Sequence, residues 1–357
     1  MNTRQAKQTA REWVAANLDQ WPGLRAAHLV GSITTMPDDA HFPSHKDVDL
    51  HLIFDPDSPL LIPTGPFPTM IEVAHDGLLI EAGLKSVEEY RSAEAVLANP
   101  EIAHHLTVDS TVYDPSGLLR GLREPVRRAF AHPHWTARRL AHERAGLAGA
   151  LGMLPMARAM AGASGEALVL GYTSTFVAAA LCVATLRPPT TGSRAILAVR
   201  SILAEHGRPD LYEAYTAAHG LHGATPDNVA QRLQEGAEAF DLAVTVRRSP
   251  HPFQHKLHPH LRPYFVESCR SLIAEGHDRE ALHWLTPFYH ASTDIIRADG
   301  PDAERAAFSA RHAGFLADLG LGTETERTAR IDQVRQISES ILALADTIVP
   351  RQTDAAA

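Results

Sequence analysis

The spacing of apolar residues divides the chain into a mixed first part and a helical second part. Apolar side chains at three- and four-residue intervals predict an amphipathic helix over residues 3–20, which ends at Pro22-Gly23. From residue 135 onward the spacing is helical throughout, with breaks at segments rich in proline and glycine. Short apolar runs bounded by turn residues predict strands over residues 24–30, 47–54 and 111–113.

A hairpin and a capped helix are predicted between the second and third of these strands. Residues 69–74 and 78–84 flank an Asp-Gly pair, which is a strong signal for a tight turn. Ser86 followed by Glu89 forms a capping-box sequence, and it predicts a single helix over residues 87–97.

These patterns predict two domains of different class. A chain of 357 residues is longer than one typical domain. We expect an α/β (α+β) domain built on a small mixed sheet, followed by an all-α helical-bundle domain. The predicted bounds are residues 1–132 for the first domain, 133–350 for the second, and 351–357 for a disordered tail.

Composition and charge narrow the class of protein. Apolar residues make up 45% of the chain and charged residues 21%, as in ordinary soluble proteins. The longest apolar run, around residues 176–186, is too short to span a membrane, and residues 1–20 lack the apolar core of a signal peptide. Cys182 and Cys269 are the only cysteines, which favours a cytoplasmic location. A net charge of −9 without a long basic run argues against a nucleic-acid partner and suits a small-molecule enzyme.

A small-residue turn and two aspartates carry the candidate chemistry. Gly31 and Ser32 directly follow the first predicted strand, and Asp47 and Asp49 open the second. Because side chains alternate between the faces of a strand, both aspartates point the same way, about 7 Å apart along it. Two carboxylates fixed in this way, beside such a turn, can hold a divalent metal against a triphosphate.

Two further carboxylates and a histidine extend this candidate site. Glu81 lies in the second strand of the predicted hairpin and is the third carboxylate we expect in the site. Glu72, in the first strand of the hairpin, is the competing candidate. His51 shares the strand face of the aspartates; it either contacts the acceptor or a metal, or is a hydrogen-bonded structural residue.

Together these features resemble the nucleotidyltransferases of the DNA polymerase beta superfamily. The core motif of that superfamily is Gly-Ser, then two acidic residues one position apart, then a third carboxylate one hairpin later. The helical second half is similar in plan to that of the aminoglycoside and lincosamide nucleotidyltransferases. The resemblance is close up to the region of residue 120. Residues 33–46 form a longer interval than this family usually has, so we expect this loop to bulge over or beside the nucleotide.

The resemblance implies a role for each residue of the motif. Backbone N–H groups after Gly31, together with the hydroxyl of Ser32, would bind the phosphates of an NTP. Asp47 and Asp49 would hold Mg²⁺, with two ions in the site. Glu81 would complete the second metal site or act as general base on the acceptor hydroxyl.

Basic residues are candidates for contact with the triphosphate. Lys46 precedes the first aspartate, although a solvated loop is the alternative interpretation for it and for Asp38 and Asp39. Arg194 stands at the start of a predicted helix, where anions are favoured. Further candidates in the helical domain are Arg138, Arg139, His142, Glu143, Glu166, Tyr172 and Arg187. The closely spaced histidines 255, 258 and 260 resemble a zinc site superficially, but a packed loop is the interpretation we favour.

The sequence is therefore interpreted as a cytoplasmic, Mg²⁺-dependent nucleotidyltransferase. It would move a nucleoside monophosphate, with ATP as the expected donor, onto a hydroxyl or similar group of a small molecule, and release pyrophosphate. The resemblance makes an antibiotic the first candidate acceptor. The alternatives are a nucleotidyltransferase acting on an RNA end or a protein side chain, and a nucleotide-binding module without catalysis. The oligomeric state is left open.

Overall fold

The chain forms two compact units. The computed structural model describes residues 1–62, 70–190, 192–251 and 256–354, without the side chains beyond residue 349. We call the first unit the sheet unit; it comprises Met1–His142, Cys182–Thr190 and Ile348–Ala357. We call the second the helical unit; it comprises Glu143–Leu181 and Thr191–Thr347.

Five strands form one mixed sheet, which confirms the predicted fold class of the first part. The strands are β1 (Leu24–Leu29), β2 (Asp47–Phe54), β3 (Met70–His75), β4 (Leu78–Ser86) and β5 (Thr111–Tyr113). Their order is β3-β4-β2-β1-β5. β2 and β4 are parallel, and every other neighbouring pair is antiparallel. Thr69, predicted to begin the hairpin, lies outside the described residues.

One face of the sheet packs against the first helix, α1 (Thr3–Asn17). Alternate residues of β2, from Val48 to Phe54, are fully buried in this core. The side chain of Asn2 caps α1 by accepting the N–H of Gln5, so the helix begins where its polar cap stands. The residues that α1 contributes to the core are Ala6, Ala10, Trp13 and Val14.

The opposite face packs against three helices: α2 (Ala93–Ala98), α3 (Pro100–Ala103) and α4 (Leu118–Ala129). The prediction of one helix over residues 87–97 was wrong. Ser86 does form its capping box, but over a short 3-10 turn, Val87–Tyr90, and Ser92 then caps α2 separately. The break allows Tyr90 to turn inward, where its side chain is fully buried.

The long loop between β1 and β2 is docked on the start of α1. The carbonyl of Ala40 accepts the N–H of Thr3, and the carbonyl of Asp38 accepts the N–H of Arg4, both at 2.9 Å. The side chain of Asp38 also accepts a hydrogen bond from Lys7. Phe42 is buried in the core beneath α1. Much of the extra length of the loop is therefore used in contact with α1.

Helices follow β5 through the remaining described residues, as predicted. The helical pattern continues from α5 to α13, and no strand occurs after β5 in the described part of the chain. The helices are α5 (Pro133–Gly152), α6 (Leu154–Ala184), α7 (Ala195–Glu205), α8 (Pro209–Ala218), α9 (Pro226–Val246), α10 (Arg262–Ala274), α11 (Asp278–Asp299), α12 (Asp302–Asp318) and α13 (Glu324–Asp354).

Several predicted bounds in this part differ from the structure. The division between the units falls at His142, inside α5, because the first half of α5 is fastened to the sheet unit through Arg139. α11 continues to Asp299, since its apolar stripe extends through Ile295 and Ile296. α13 runs to Asp354, so it enters the segment predicted as a disordered tail, and residues 355–357 lie outside the described residues.

One helix among the described residues, α6, is long and apolar enough to cross a membrane. Its most apolar window has a mean hydropathy of 1.9, and 56% of that window is buried within the protein. Gly162 interrupts it with a non-helical backbone conformation. Core helices of soluble proteins have the same length and composition, so this feature is weak evidence for a membrane span.

Candidate metal centre

Three carboxylates converge at one end of the sheet. Asp47 and Asp49 open β2, and Glu81 lies in β4. Each of the three can place a carboxylate oxygen within 4.8 Å of the others, and all three side chains are half-buried. These are the residues predicted as metal ligands, and the structure brings them together.

The strand register explains this convergence. In the parallel pair β2–β4, Asp49 lies beside Glu81, so both side chains stand on the same face. Glu72 lies directly opposite Glu81 in the antiparallel pair β3–β4 and therefore shares that face too. Among the described residues, however, the group of converging ligand atoms includes Glu81 and not Glu72.

Gly31 fits directly against the carboxylate of Asp49. Its backbone has φ +67° and ψ −163°, a conformation that is almost confined to glycine. A Cβ on Gly31 would overlap the Oδ2 atom of Asp49 and lie 3.0 Å from its Cγ. From the sequence, we expected Gly31 to let the backbone come close to a phosphate. In the structure, it lets the backbone come close to the carboxylate of Asp49.

The residues beside the glycine turn are partly tied down. Ser32 is exposed and begins a 3-10 turn, Ser32–Thr34. The hydroxyl of Thr34 donates to the carbonyl of Gly31 at 2.8 Å, which holds the turn closed. Lys46 is half-buried, directly before Asp47, and its N–H donates to the carbonyl of Pro43. The phosphate-binding roles of Ser32 and Lys46 stay predictions.

A buried layer of histidine and tyrosine lies on the same sheet face, next to the carboxylates. His28 of β1 is opposite His51 of β2, and their rings meet edge to face with centroids 5.2 Å apart. The hydroxyl of Tyr90 lies 2.8 Å from Nε2 of His28 and 3.1 Å from Nδ1 of His51. Burial lowers the pKa of His28 to about 4 and holds the pKa of His51 well below its usual value. Burial also raises the pKa of Tyr90 well above 10. All three groups are therefore neutral at pH 7.

The donor chemistry of the carboxylate cluster fits a hard divalent cation. Asp47, Asp49 and Glu81 offer only oxygen atoms, which Mg²⁺ prefers, and their half-burial leaves room for water or phosphate oxygens as further ligands. No histidine or cysteine belongs to this group, so the site does not have the donor set typical of zinc.

Several other predicted site residues have structural partners within their own unit. Arg194 lies in the helical unit, where its guanidinium makes two hydrogen bonds to the carboxylate of Glu275, at 2.5 and 2.6 Å. Its role as a phosphate contact stays a prediction. The carboxylate of Glu166 is buried and paired with both Arg158 and Arg327.

Arg139 is a structural residue. It is 1% exposed and donates to the carbonyls of Leu97 and Phe130, at 2.9 and 2.8 Å. These carbonyls belong to the ends of α2 and α4, where helices leave acceptors unpaired. Burial lowers the pKa of Arg139 to about 10, and it remains charged at pH 7.

The closely spaced histidines do not gather into a metal site in the part of the chain that the structure describes. His255 lies outside the described residues. His258 and His260 stack on one another with ring centroids 5.3 Å apart. In the described ranges, the only group of three or more histidine, cysteine or acidic ligands is the carboxylate cluster.

Sequence reasoning did not find the contact of Tyr90 with two histidines. The signal for part of it was present, because His28 occupies an apolar strand at the position that pairs with His51. Tyr90 itself gives no such signal, since it lies in a segment with helical spacing. Its position depends on the separate capping of the 3-10 turn and α2.

The comparisons with known proteins add little to this site. No protein-family model matches the chain, and no curated protein matches it either. One solved structure that is similar is that of a nucleotidyltransferase-like protein from Exiguobacterium sibiricum, with 12% identity and a TM-score of 0.28. The match covers 88% of this chain and 89% of that chain. Identity and TM-score this low do not show a shared fold, so we base the proposed function on the site residues.

Proposed function

We propose that the protein is an Mg²⁺-dependent nucleotidyltransferase that modifies a small molecule. The observation that carries the proposal is the cluster of Asp47, Asp49 and Glu81, set beside the close-fitting turn at Gly31. Its all-oxygen donor set and partial exposure suit a site where Mg²⁺ is shared between protein and triphosphate. The order of the motif along the chain, Gly-Ser before the carboxylates, also supports it.

The chain's own residues would serve the transfer in distinct ways. Asp47 and Asp49 would hold Mg²⁺, which when bound neutralises phosphate charge and lowers the pKa of a coordinated hydroxyl. Ser32 and the turn at Gly31 would position the triphosphate. Glu81, beside Asp49, would take the proton of the acceptor hydroxyl. The oxygen of that hydroxyl would bond to the α-phosphorus, and the bond from the α-phosphorus to pyrophosphate would break.

ATP as the donor, a small antibiotic-like acceptor and a cytoplasmic location follow from the sequence resemblance and composition. The net charge of −9 suits a small-molecule acceptor better than an RNA end. We therefore keep a macromolecular acceptor as the second candidate.

Release of pyrophosphate from Mg²⁺-ATP, measured with a panel of hydroxyl-bearing small molecules, tests the proposal. Asp49→Asn keeps the size of the side chain but removes its charge, and we expect it to lower turnover by about a hundredfold or more. Asp57→Asn is the matched control, because Asp57 is exposed and lies beyond the end of β2. It should leave turnover unchanged.

The rival, a binding module without catalysis, predicts a different result. Such a protein would bind Mg²⁺-ATP in a calorimetric titration but release no pyrophosphate with any acceptor in the panel. Wild-type turnover by the Asp49→Asn protein would show that the cluster is not the catalytic centre. RNA oligonucleotides and a denatured protein belong in the same panel, because labelling of either would favour the second candidate.

A further inference from the structure

A chain of three hydrogen-bonding side chains leads from β1 to the edge of the carboxylate site. Nδ1 of His28 lies 3.1 Å from the carbonyl oxygen of Leu29, and Nε2 lies 2.8 Å from the hydroxyl of Tyr90. The same hydroxyl lies 3.1 Å from Nδ1 of His51. His28 and Tyr90 are fully buried, and His51 is 9% exposed.

The contacts fix where each proton lies. A carbonyl can only accept, so Nδ1 of His28 carries the proton of that neutral ring and its Nε2 is an acceptor. Tyr90 must then donate its hydroxyl proton to His28, and its oxygen accepts from Nδ1 of His51. His51 is consequently held in the tautomer whose Nε2 bears a lone pair and no proton.

The Nε2 side of His51 lies over β4, next to the carboxylate cluster. His51 pairs with Gly83, as Asp49 pairs with Glu81, so both pairs stand on the same face of the sheet. A Cβ on Gly83 would lie 3.5 Å from Cδ2 of His51 and 3.9 Å from Nε2. The absence of a side chain at residue 83 thus leaves space beside this edge of the ring, two residues along β4 from Glu81.

We propose that His51 Nε2 accepts a hydrogen bond from the hydroxyl or amino group that receives the nucleotide, and that Tyr90 and His28 are positioning residues for it. The inference rests on the proposed function and adds a residue that binds the acceptor. It gives a role in the reaction to the buried, hydrogen-bonded set of His28, Tyr90 and His51. Metal binding by the three carboxylates does not need this set. A fixed tautomer matters here because a ring free to carry its proton on Nε2 would repel the donor group it should bind.

The tautomer of His51 can be determined by NMR spectroscopy, without an activity assay. In ¹⁵N–¹H correlation spectra at neutral pH, we expect His51 to show a protonated Nδ1 and an unprotonated Nε2. Tyr90→Phe removes the hydroxyl that links His28 to His51, and it should mix the two tautomers of His51. His222, which is exposed, provides the reference for a histidine without a fixed tautomer. A protonated Nε2 on neutral His51 in the wild type would overturn the proposal.

Two substitutions of His51 separate binding at Nε2 from packing. Glutamine can place an amide oxygen near the position of Nε2, whereas asparagine reaches only the position of Nδ1 and so keeps the contact with Tyr90. We expect His51→Asn to lower pyrophosphate release from Mg²⁺-ATP by about tenfold, with water or added glycerol as the hydroxyl acceptor. His51→Gln should recover most of that loss, and neither variant should change the affinity for Mg²⁺-ATP.

The outcomes distinguish this inference from the proposed function. Equal release by the asparagine and glutamine variants, with an active wild type, would overturn the role of His51 and leave the nucleotidyltransferase proposal standing. A wild type that neither binds Mg²⁺-ATP nor releases pyrophosphate would overturn both. In that case the fixed tautomer would still appear in the spectra, as part of the packing of the sheet unit.

Discussion

Replacing Gly31 with alanine tests whether the turn after β1 and the carboxylates of β2 form one site. The positive φ of Gly31 costs an alanine about 1–3 kcal/mol. The new Cβ would lie 3.0 Å from Cγ of Asp49 and 3.2 Å from its Cβ, whereas carbon atoms in contact keep about 3.5–4.0 Å. Because the close contacts reach back to the Cβ of Asp49, we expect its carboxylate to move away from its place in the cluster.

We expect Gly31→Ala to lose metal binding and turnover much more than stability. A displacement of about 1 Å at a reacting centre costs about a hundredfold in rate. The backbone strain should lower the Tm by about 2–12 °C in a domain of this size. Calorimetric titration with Mn²⁺ and pyrophosphate release from Mg²⁺-ATP measure the first two losses, and thermal unfolding measures the third.

Gly117→Ala is the control that separates strain from overlap. Gly117 also has a positive φ, of +75°, but nothing lies within 4 Å of the position of a Cβ there. This variant should lower the Tm and leave Mn²⁺ affinity unchanged. If Gly31→Ala bound Mn²⁺ and turned over like the wild type, the reasoning that Gly31 fits against the carboxylate of Asp49 would be refuted.

Three further predictions concern the third carboxylate, the packing of α5 and the response to acid. Glu81→Gln should lower pyrophosphate release by about a hundredfold, and Glu72→Gln by much less; the reverse order would identify Glu72 as the third carboxylate. Arg139→Met should lower the free energy of unfolding by about 2–4 kcal/mol in urea titrations, because two buried carbonyls lose their donor, while exposed Arg138→Met should have little effect. Burial lowers the pKa of His28 to about 4, so below pH 6.5 the unfolded chain binds a proton there that the folded chain does not. Stability should therefore fall as the pH drops from 6.5 towards 4, by up to about 1.4 kcal/mol per pH unit for this histidine. His28→Gln should reduce this dependence of stability on pH. An unchanged dependence would contradict the lowered pKa of His28.

The positions of Asp47 and Asp49 could be predicted from the sequence, because β2 begins and ends where its apolar pattern indicates. The choice between Glu72 and Glu81 could not be made from alternation. These residues face each other on one side of the hairpin, and only the parallel pairing of β2 with β4 brings Glu81 to Asp49. The resemblance to a known motif indicated Glu81 in advance.

The residues that sequence reasoning misplaced are those whose position depends on distant contacts. A capping box at Ser86 and a cap at Ser92 are each consistent with a helix, and the burial of Tyr90 against two histidines accompanies the break between them. Arg139 has the sequence of an exposed helix residue. It is buried because the ends of α2 and α4 present carbonyls that need donors, and no local pattern reveals this.

The docking of the β1–β2 loop on α1 gives the length of this loop a meaning of its own. The carbonyls of Asp38 and Ala40 accept N–H groups in the first turn of α1, which adds to what the Asn2 cap does. A related protein with a shorter β1–β2 loop would need other hydrogen-bond acceptors for the N–H groups at the start of α1. Its Gly-Ser turn and its two aspartates could still occupy the same positions in the sheet. Searches for related sequences should accordingly allow the gap between Gly-Ser and the aspartates to vary, and compare it with the residues that begin the first helix.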